Sequence, residues 1–180
     1  MLVEPMLSRL ASAKALDEKV QVGLRDFVAL HGAEMGNVQF PGIDGRLVII
    51  AERGLGRAFL KTFERVAFDA GTVCARAARL GKPVFVPDVR ADVHFQPYVE
   101  FADSVPFRSV LSHPLTSSAG ELVGMVSAHS AHIFSPTAIE LRAGETYARR
   151  LADEIVSLAS ESERVAYAER CAAELMRAVK

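Results

Sequence analysis

Apolar positions recur first at helical spacing. Leu16, Val20, Leu24, Phe27 and Val28 fall three and four apart, leaving Asp17, Lys19, Arg25 and Asp26 for the wet face. The spacing predicts an amphipathic helix that Gly32 stops. Leu7 and Leu10 predict a shorter helical stretch before it. The period then drops to two. Over residues 35–40, Val38 and Phe40 share one side and Asn37 and Gln39 the other, and residues 46–53 carry the β-branched run Val48-Ile49-Ile50. The turn formers of residues 41–45 join these segments into an antiparallel hairpin. Helical spacing returns over residues 57–67, through Phe59, Leu60, Phe63 and Val66, and over residues 72–80, closed by Gly81 and Pro83. Residues 83–89 predict a short strand in which Pro87 suits an edge or an end.

Residues 88–108 follow as a long irregular stretch. It carries Phe95, Tyr98, Phe101 and Phe107, and loops of that length inside a domain are commonly lids or binding loops. A second hairpin spans residues 109–116 and 121–129. In it Leu111, His113 and Leu115 share a face, and Gly124, Val126 and Ala128 oppose Met125, Ser127 and His129. Ser135-Pro136 marks a helix start, and helix formers continue to Lys180. A continuous helix of that length would run about 65 Å. Its stripe of Tyr147, Leu151, Ile155 and Leu158, continued by Val165, Ala168, Ala172, Leu175 and Val179, needs a partner. Glu145/Arg149 and Arg150/Glu154, at i,i+4, support an exposed face. A continuous dimerising helix is the favoured expectation. The alternative is a second helix restarted by the capping-box pair Ser160 and Glu163 and folded back. Hairpins without βαβ alternation place the chain in the α+β class with a mainly antiparallel sheet.

Composition narrows function more than fold. The 180 residues suit one domain, read as residues 1–158 with a helical extension over residues 159–180. Lys and Arg number 21 against 22 Asp and Glu, for a net charge of −1. Without a basic block there is no footprint for nucleic acid or an anionic membrane, so neither partner is expected. Residues 47–51 form the longest strongly apolar run, far short of a bilayer span. The opening residues do not read as a secretory signal, and the expectation is a cytoplasmic protein. Cys74 and Cys171 have neither disulfide nor zinc spacing. Gly54-Leu55-Gly56 lacks the third glycine of a dinucleotide loop, and no nucleophile-elbow serine or kinase signature occurs.

An ordered set of segments resembles the GAF domain family. It comprises Gly36-Asn37-Val38-Gln39-Phe40, Gly71-Thr72-Val73-Cys74, Gly81 through Val89, Ala91-Asp92-Val93-His94-Phe95, Phe107 through Leu115, and Gly120 through Ser127. The resemblance covers residues 15–158. It implies a central sheet of five strands in the order 2-1-5-4-3, terminal helices on one face, and a ligand pocket on the other, roofed by residues 57–80 and 88–108. It further implies a small-molecule sensor in signal transduction that forms a homodimer through its first and last helices and acts on a signalling protein. No cofactor and no metal is named by these residues.

Candidate ligand-binding residues are Phe63, Cys74, Asp88, His94, Phe95, Tyr98, Phe107, Arg108 and His113. Asp88 and Arg108 bracket the long loop and could clamp it or bind a charged ligand. His94 could meet a metal, haem iron or an anion, while His113 shares an apolar face and reads as a core or pocket-wall residue. Cys74 falls in the first turn of a helix, where a thiol can be activated, and some GAF proteins reduce free methionine sulfoxide with several cysteines in this region. The expectation is nevertheless a regulatory protein rather than an enzyme. Two alternatives stand beside it: thiol redox chemistry at Cys74, and a docking or dimerisation module whose interior is filled.

Overall fold

The period-two segments pair as their alternation demands. In the computed structural model, which describes residues 3–102 and 105–178, β1 (Met35–Pro41) pairs antiparallel with β2 (Leu47–Arg53). β5 (Ser109–Thr116) pairs antiparallel with β6 (Leu122–Ser130), and β6 returns beside β1. Two short strands, β3 (Arg65–Val66) and β4 (Val84–Val86), close the edges, giving the order β3-β2-β1-β6-β5-β4. Without the two-residue β3 this is the expected five-strand order. β3 exists because the helix expected over residues 57–67 stops early: α3 covers Gly56–Phe63, and the chain then extends along β2, with Leu47 opposite Val66.

Helices α1 (Glu4–Ser12), α2 (Leu16–Leu30) and α6 (Ala138–Leu158) cover one face of the sheet. There Val38, Phe40, Val126 and Leu115 meet Phe27, Leu24, Tyr147, Leu151 and Ile155 in one apolar core. α2 and α6 approach closely at Gly23, where an added Cβ would lie 2.5 Å from a Leu151 methyl. Lys19 and Asp26, expected on the wet face of α2, are buried instead, because α1 and α6 cover that side. Lys19 Nζ donates to Glu154 (2.7 Å) and to the Leu10 carbonyl (2.6 Å). Asp26 accepts from Arg9 (3.1 Å) and from the Tyr147 hydroxyl (3.3 Å).

α6 is capped by Thr137 rather than by Ser135. The Thr137 amide donates to Glu140 (2.7 Å) and the Glu140 amide to Thr137 Oγ1 (3.2 Å), a reciprocal cap that outcompetes the upstream serine. The favoured continuous helix does not form. Ala159 is extended (φ −147°, ψ 131°), and Ser160 with Glu163 caps the start of α7 (Glu161–Ala178). α7 folds back against β1 and β2, burying Ala168 and Ala172 in the helical-face core. Glu169 accepts two hydrogen bonds from Arg65 (3.1 and 2.5 Å) and one from the Ile43 amide (3.0 Å). The stripe of Tyr147, Leu151, Ile155, Ala168 and Ala172 thus finds its partner within its own chain. Of the two i,i+4 pairs, Arg150–Glu154 forms (2.8 Å), and Glu145–Arg149 is not among the ion pairs of the described residues.

Candidate functional site

The opposite face of the sheet carries shorter elements. α3, α4 (Val73–Leu80), a 3-10 turn (Val93–Tyr98) and α5 (Val99–Ala102) lie over it, so the stretch expected to be irregular is partly helical. Thr72 caps α4 by accepting from the Ala75 amide, and Gly81 ends it in the left-handed region (φ 61°). Two ion pairs hold this roof. Arg76 grips Asp92 with its two Nη atoms (3.2 and 2.6 Å), and Arg108 grips Asp88 through Nε and one Nη while the Val89 amide donates to the Arg108 carbonyl (2.8 Å). The Arg108 guanidinium holds the Asp88 carboxyl below the usual carboxylate range. Gly71 lies directly against the His94 carbonyl, where an added Cβ would sit only 2.0 Å from the oxygen.

Between roof and sheet lies a cavity of about 30 Å³, room for about two water molecules. Its ceiling is aromatic: Phe59, Phe63, Phe95 and Phe107, with Phe59 and Phe107 edge to face at 5.8 Å. Its floor is polar. Asn37 on β1, Ser127 on β6 and Ser112 on β5 stand opposite one another in a single row across three strands, with Gln39 and His129 flanking it on the same face. All five are buried. Ser112 and Ser127 share a hydroxyl hydrogen bond (2.7 Å), and His129 Nε2 lies 3.0 Å from Asn37 Oδ1. Burial pushes the His129 imidazole down to about 3, so it is neutral near pH 7. Gln39 Oε1 and His129 Nδ1 have no hydrogen-bond partner.

Of the residues singled out in the sequence, Phe63, Cys74, Phe95 and Phe107 are brought together at this cavity. Tyr98 packs behind the ceiling against Phe63 (5.1 Å) and Phe95 (5.3 Å). Asp88 and Arg108 neutralise each other at the roof's ends and do not line the cavity. His94 is exposed. His113 is fully buried on the other side of the sheet, in edge contact with Phe27 (5.2 Å) and 5.7 Å from the His31 ring. Strand alternation decides this: Ser112 faces the roof, so its neighbour faces the helices. Cys74 keeps part of its surface exposed, but burial of the thiol pushes it above its ordinary value, towards the protonated form that is the poorer nucleophile. Cys171 packs with the helical-face core. Among the described residues, no cluster of three or more metal-ligating side chains occurs, and no helix is long and apolar enough to cross a membrane.

Asn37, Gln39, Ser112, Ser127 and His129 are not among the candidate ligand-binding residues offered by the sequence. Their signal was the polar half of the alternation in three strands, β1, β5 and β6. On an uncovered sheet that half faces water, and only the roof turns it into a site.

A family model described as a GAF domain matches residues 13–156. Solved structures similar to this chain include the GAF domain of a phosphoenolpyruvate-protein phosphotransferase from Coxiella burnetii, at 17% identity and TM-score 0.73, covering 87% of this chain and 91% of that one. The free methionine-R-sulfoxide reductase from Neisseria meningitidis, solved in complex with its substrate, is similar at 20% identity and TM-score 0.70, covering 87% of each chain. The chromophore-binding domain of a bacteriophytochrome from R. palustris is similar at 17% identity and TM-score 0.67, covering 87% of this chain and 60% of that one. No curated protein matches the chain in sequence.

Proposed function

The chain belongs to the GAF domain family, and from that premise we propose that it is a regulatory sensor whose small-molecule site is the cavity between the polar floor and the aromatic roof. The observation that carries this reading is the buried polar row beneath a phenylalanine ceiling. Burying polar side chains lowers stability unless each is fully hydrogen-bonded, and an apolar floor would fold at least as well. A floor of Asn37, Gln39, Ser112, Ser127 and His129 serves recognition better than packing. Solved relatives of the fold support the same reading, because one was captured with its substrate and another is a chromophore-binding domain.

A ligand larger than about two waters must displace the roof. Phe95 and Phe107 move first in this mechanism, and their shift reaches β6 directly, since the Arg108 amide donates to the Ser130 carbonyl (2.7 Å). β6 carries Ser127 and His129 on the ligand side and leads into α6 on the other side. Ligand thereby biases the seating of α6, by no more than its difference in affinity for the two arrangements. Output follows through self-association of the terminal helices, for which α6 offers the exposed Ile139, Val156 and Leu158, or through a signalling partner. The role is regulatory rather than catalytic, consistent with a thiol at Cys74 kept protonated by burial.

Native mass spectrometry of the protein purified from its source tests this: a retained mass, released on denaturation, is expected. A second reading is favoured by the small cavity volume, namely a docking module whose interior is closed by its own side chains. It predicts the bare chain mass, and slow amide exchange over residues 93–108 that no small molecule alters.

A further inference from the structure

We propose that the molecule this cavity takes is uncharged and presents hydrogen-bond donors, as an N–H heterocycle or a phenol does; the inference rests on the sensing reading above. Charge is excluded by what lines the site. Among the described residues, no Asp, Glu, Lys or Arg borders the cavity. The two ion pairs that pin the roof, Arg108 with Asp88 and Arg76 with Asp92, already satisfy their own charges. An anion or cation entering would lose its hydration with no counter-charge to meet it.

The demand for donors follows from the floor's hydrogen bonds. Asn37 Oδ1 can only accept, so the proton of the His129–Asn37 bond sits on His129 Nε2. In a neutral imidazole this leaves Nδ1 as a bare lone pair. That atom is buried and without a partner, and Gln39 Oε1 is a second acceptor in the same condition. The Ser112–Ser127 pair leaves at most one hydroxyl proton over. The two buried acceptors left without a partner, His129 Nδ1 and Gln39 Oε1, can be met only by a group that donates. The four phenylalanines above suit a flat ring.

The test uses the full chain and two matched series of probes: uracil, 1,3-dimethyluracil and orotate; hydroquinone, 1,4-dimethoxybenzene and 4-hydroxybenzoate. Nuclear magnetic resonance titration reads the Kd and the His129 ring nitrogens together. In at least one series the donor-bearing neutral member should bind at least about tenfold more tightly than its methylated twin, and move the His129 Nδ1 resonance. Its charged counterpart should bind no better than the methylated one. Equal or tighter binding by a methylated or charged member, with cavity resonances shifting, overturns the donor inference and leaves the sensing site standing. If no member of either series perturbs a cavity residue, both the inference and the site reading fail.

Discussion

The two faces of the sheet solve the burial problem differently. On the helical face, long helices press continuous aliphatic rows onto β1 and β6; Lys19 and Asp26 are paired within the chain there, while the buried His31 and His113 rings make ring contacts but no hydrogen bond. On the roof face, short elements and a loop pinned by two ion pairs cover a row of buried polar side chains, two of which end in unpaired acceptors. The contrast separates an apolar helix-packed surface from a polar one that lines a cavity, and the proposed ligand reading rests on the second. Both faces bury polar atoms without a partner, and on the roof face two of those atoms, Gln39 Oε1 and His129 Nδ1, belong to residues that line the cavity beneath the phenylalanines.

Acidification should have the largest effect, and it weighs on the helical face. Burial pushes His31 down to about 4 and His113 to about 3, with the neighbouring Glu140 raising the first and the His31 ring lowering the second; burial alone pushes His129 to about 3. Each folded value lies below the ordinary 6.5, so the unfolded chain binds protons that the folded one refuses. Stability from these rings is complete above pH 6.5 and declines as pH falls towards 4 and 3. The slope is about 1.4 kcal/mol per pH unit per ring, or about 2 kcal/mol each between pH 7 and pH 5. Urea unfolding at the two pH values checks this, and His113→Leu should flatten the dependence.

Leu151→Ala comes next, with an expected loss of about 3 kcal/mol in the same assay, because the fully buried side chain fills the contact against Gly23. A loss below about 1 kcal/mol would remove the contrast between the faces. Glu169→Ala should cost about 1 kcal/mol, since its pair with Arg65 is only part-buried. Its clearer readout is faster amide exchange over residues 161–178, and unchanged exchange would mean that Ala168 and Ala172 dock α7 without it. Smallest is the double change Ser112→Ala with Ser127→Ala. Removing both partners of one hydrogen bond should change stability by no more than about 0.5 kcal/mol. A large loss there would show the polar row to be structural, and would weaken its assignment to ligand binding.

Much of the fold was legible because its signals are local. Alternation located both hairpins, Gly81 marked a helix end, and the Ser160–Glu163 pair marked the break that the less favoured alternative used, all by chemistry confined to four or five residues. The site was legible only in half. Aromatic residues in a long loop announced a lid, which drew attention to Phe95 and Phe107, but polar residues on a strand look the same whether water or a roof lies above them. His113 shows the same limit from the other side. Its apolar neighbours Leu111 and Leu115 identified a buried face without saying which of the two faces holds the cavity.

By itself the sequence determined the two hairpins, the amphipathic first helices, the antiparallel class and the family, since each depends on the order and spacing of residues along the chain. Tertiary structure alone decided that α7 turns back to give the apolar stripe an internal partner, and that Asn37, Ser112, Ser127 and His129 converge beneath the phenylalanines. Those outcomes rest on residues as far apart as Arg65 and Glu169 or Asn37 and His129, and only the folded chain brings such pairs within hydrogen-bond reach.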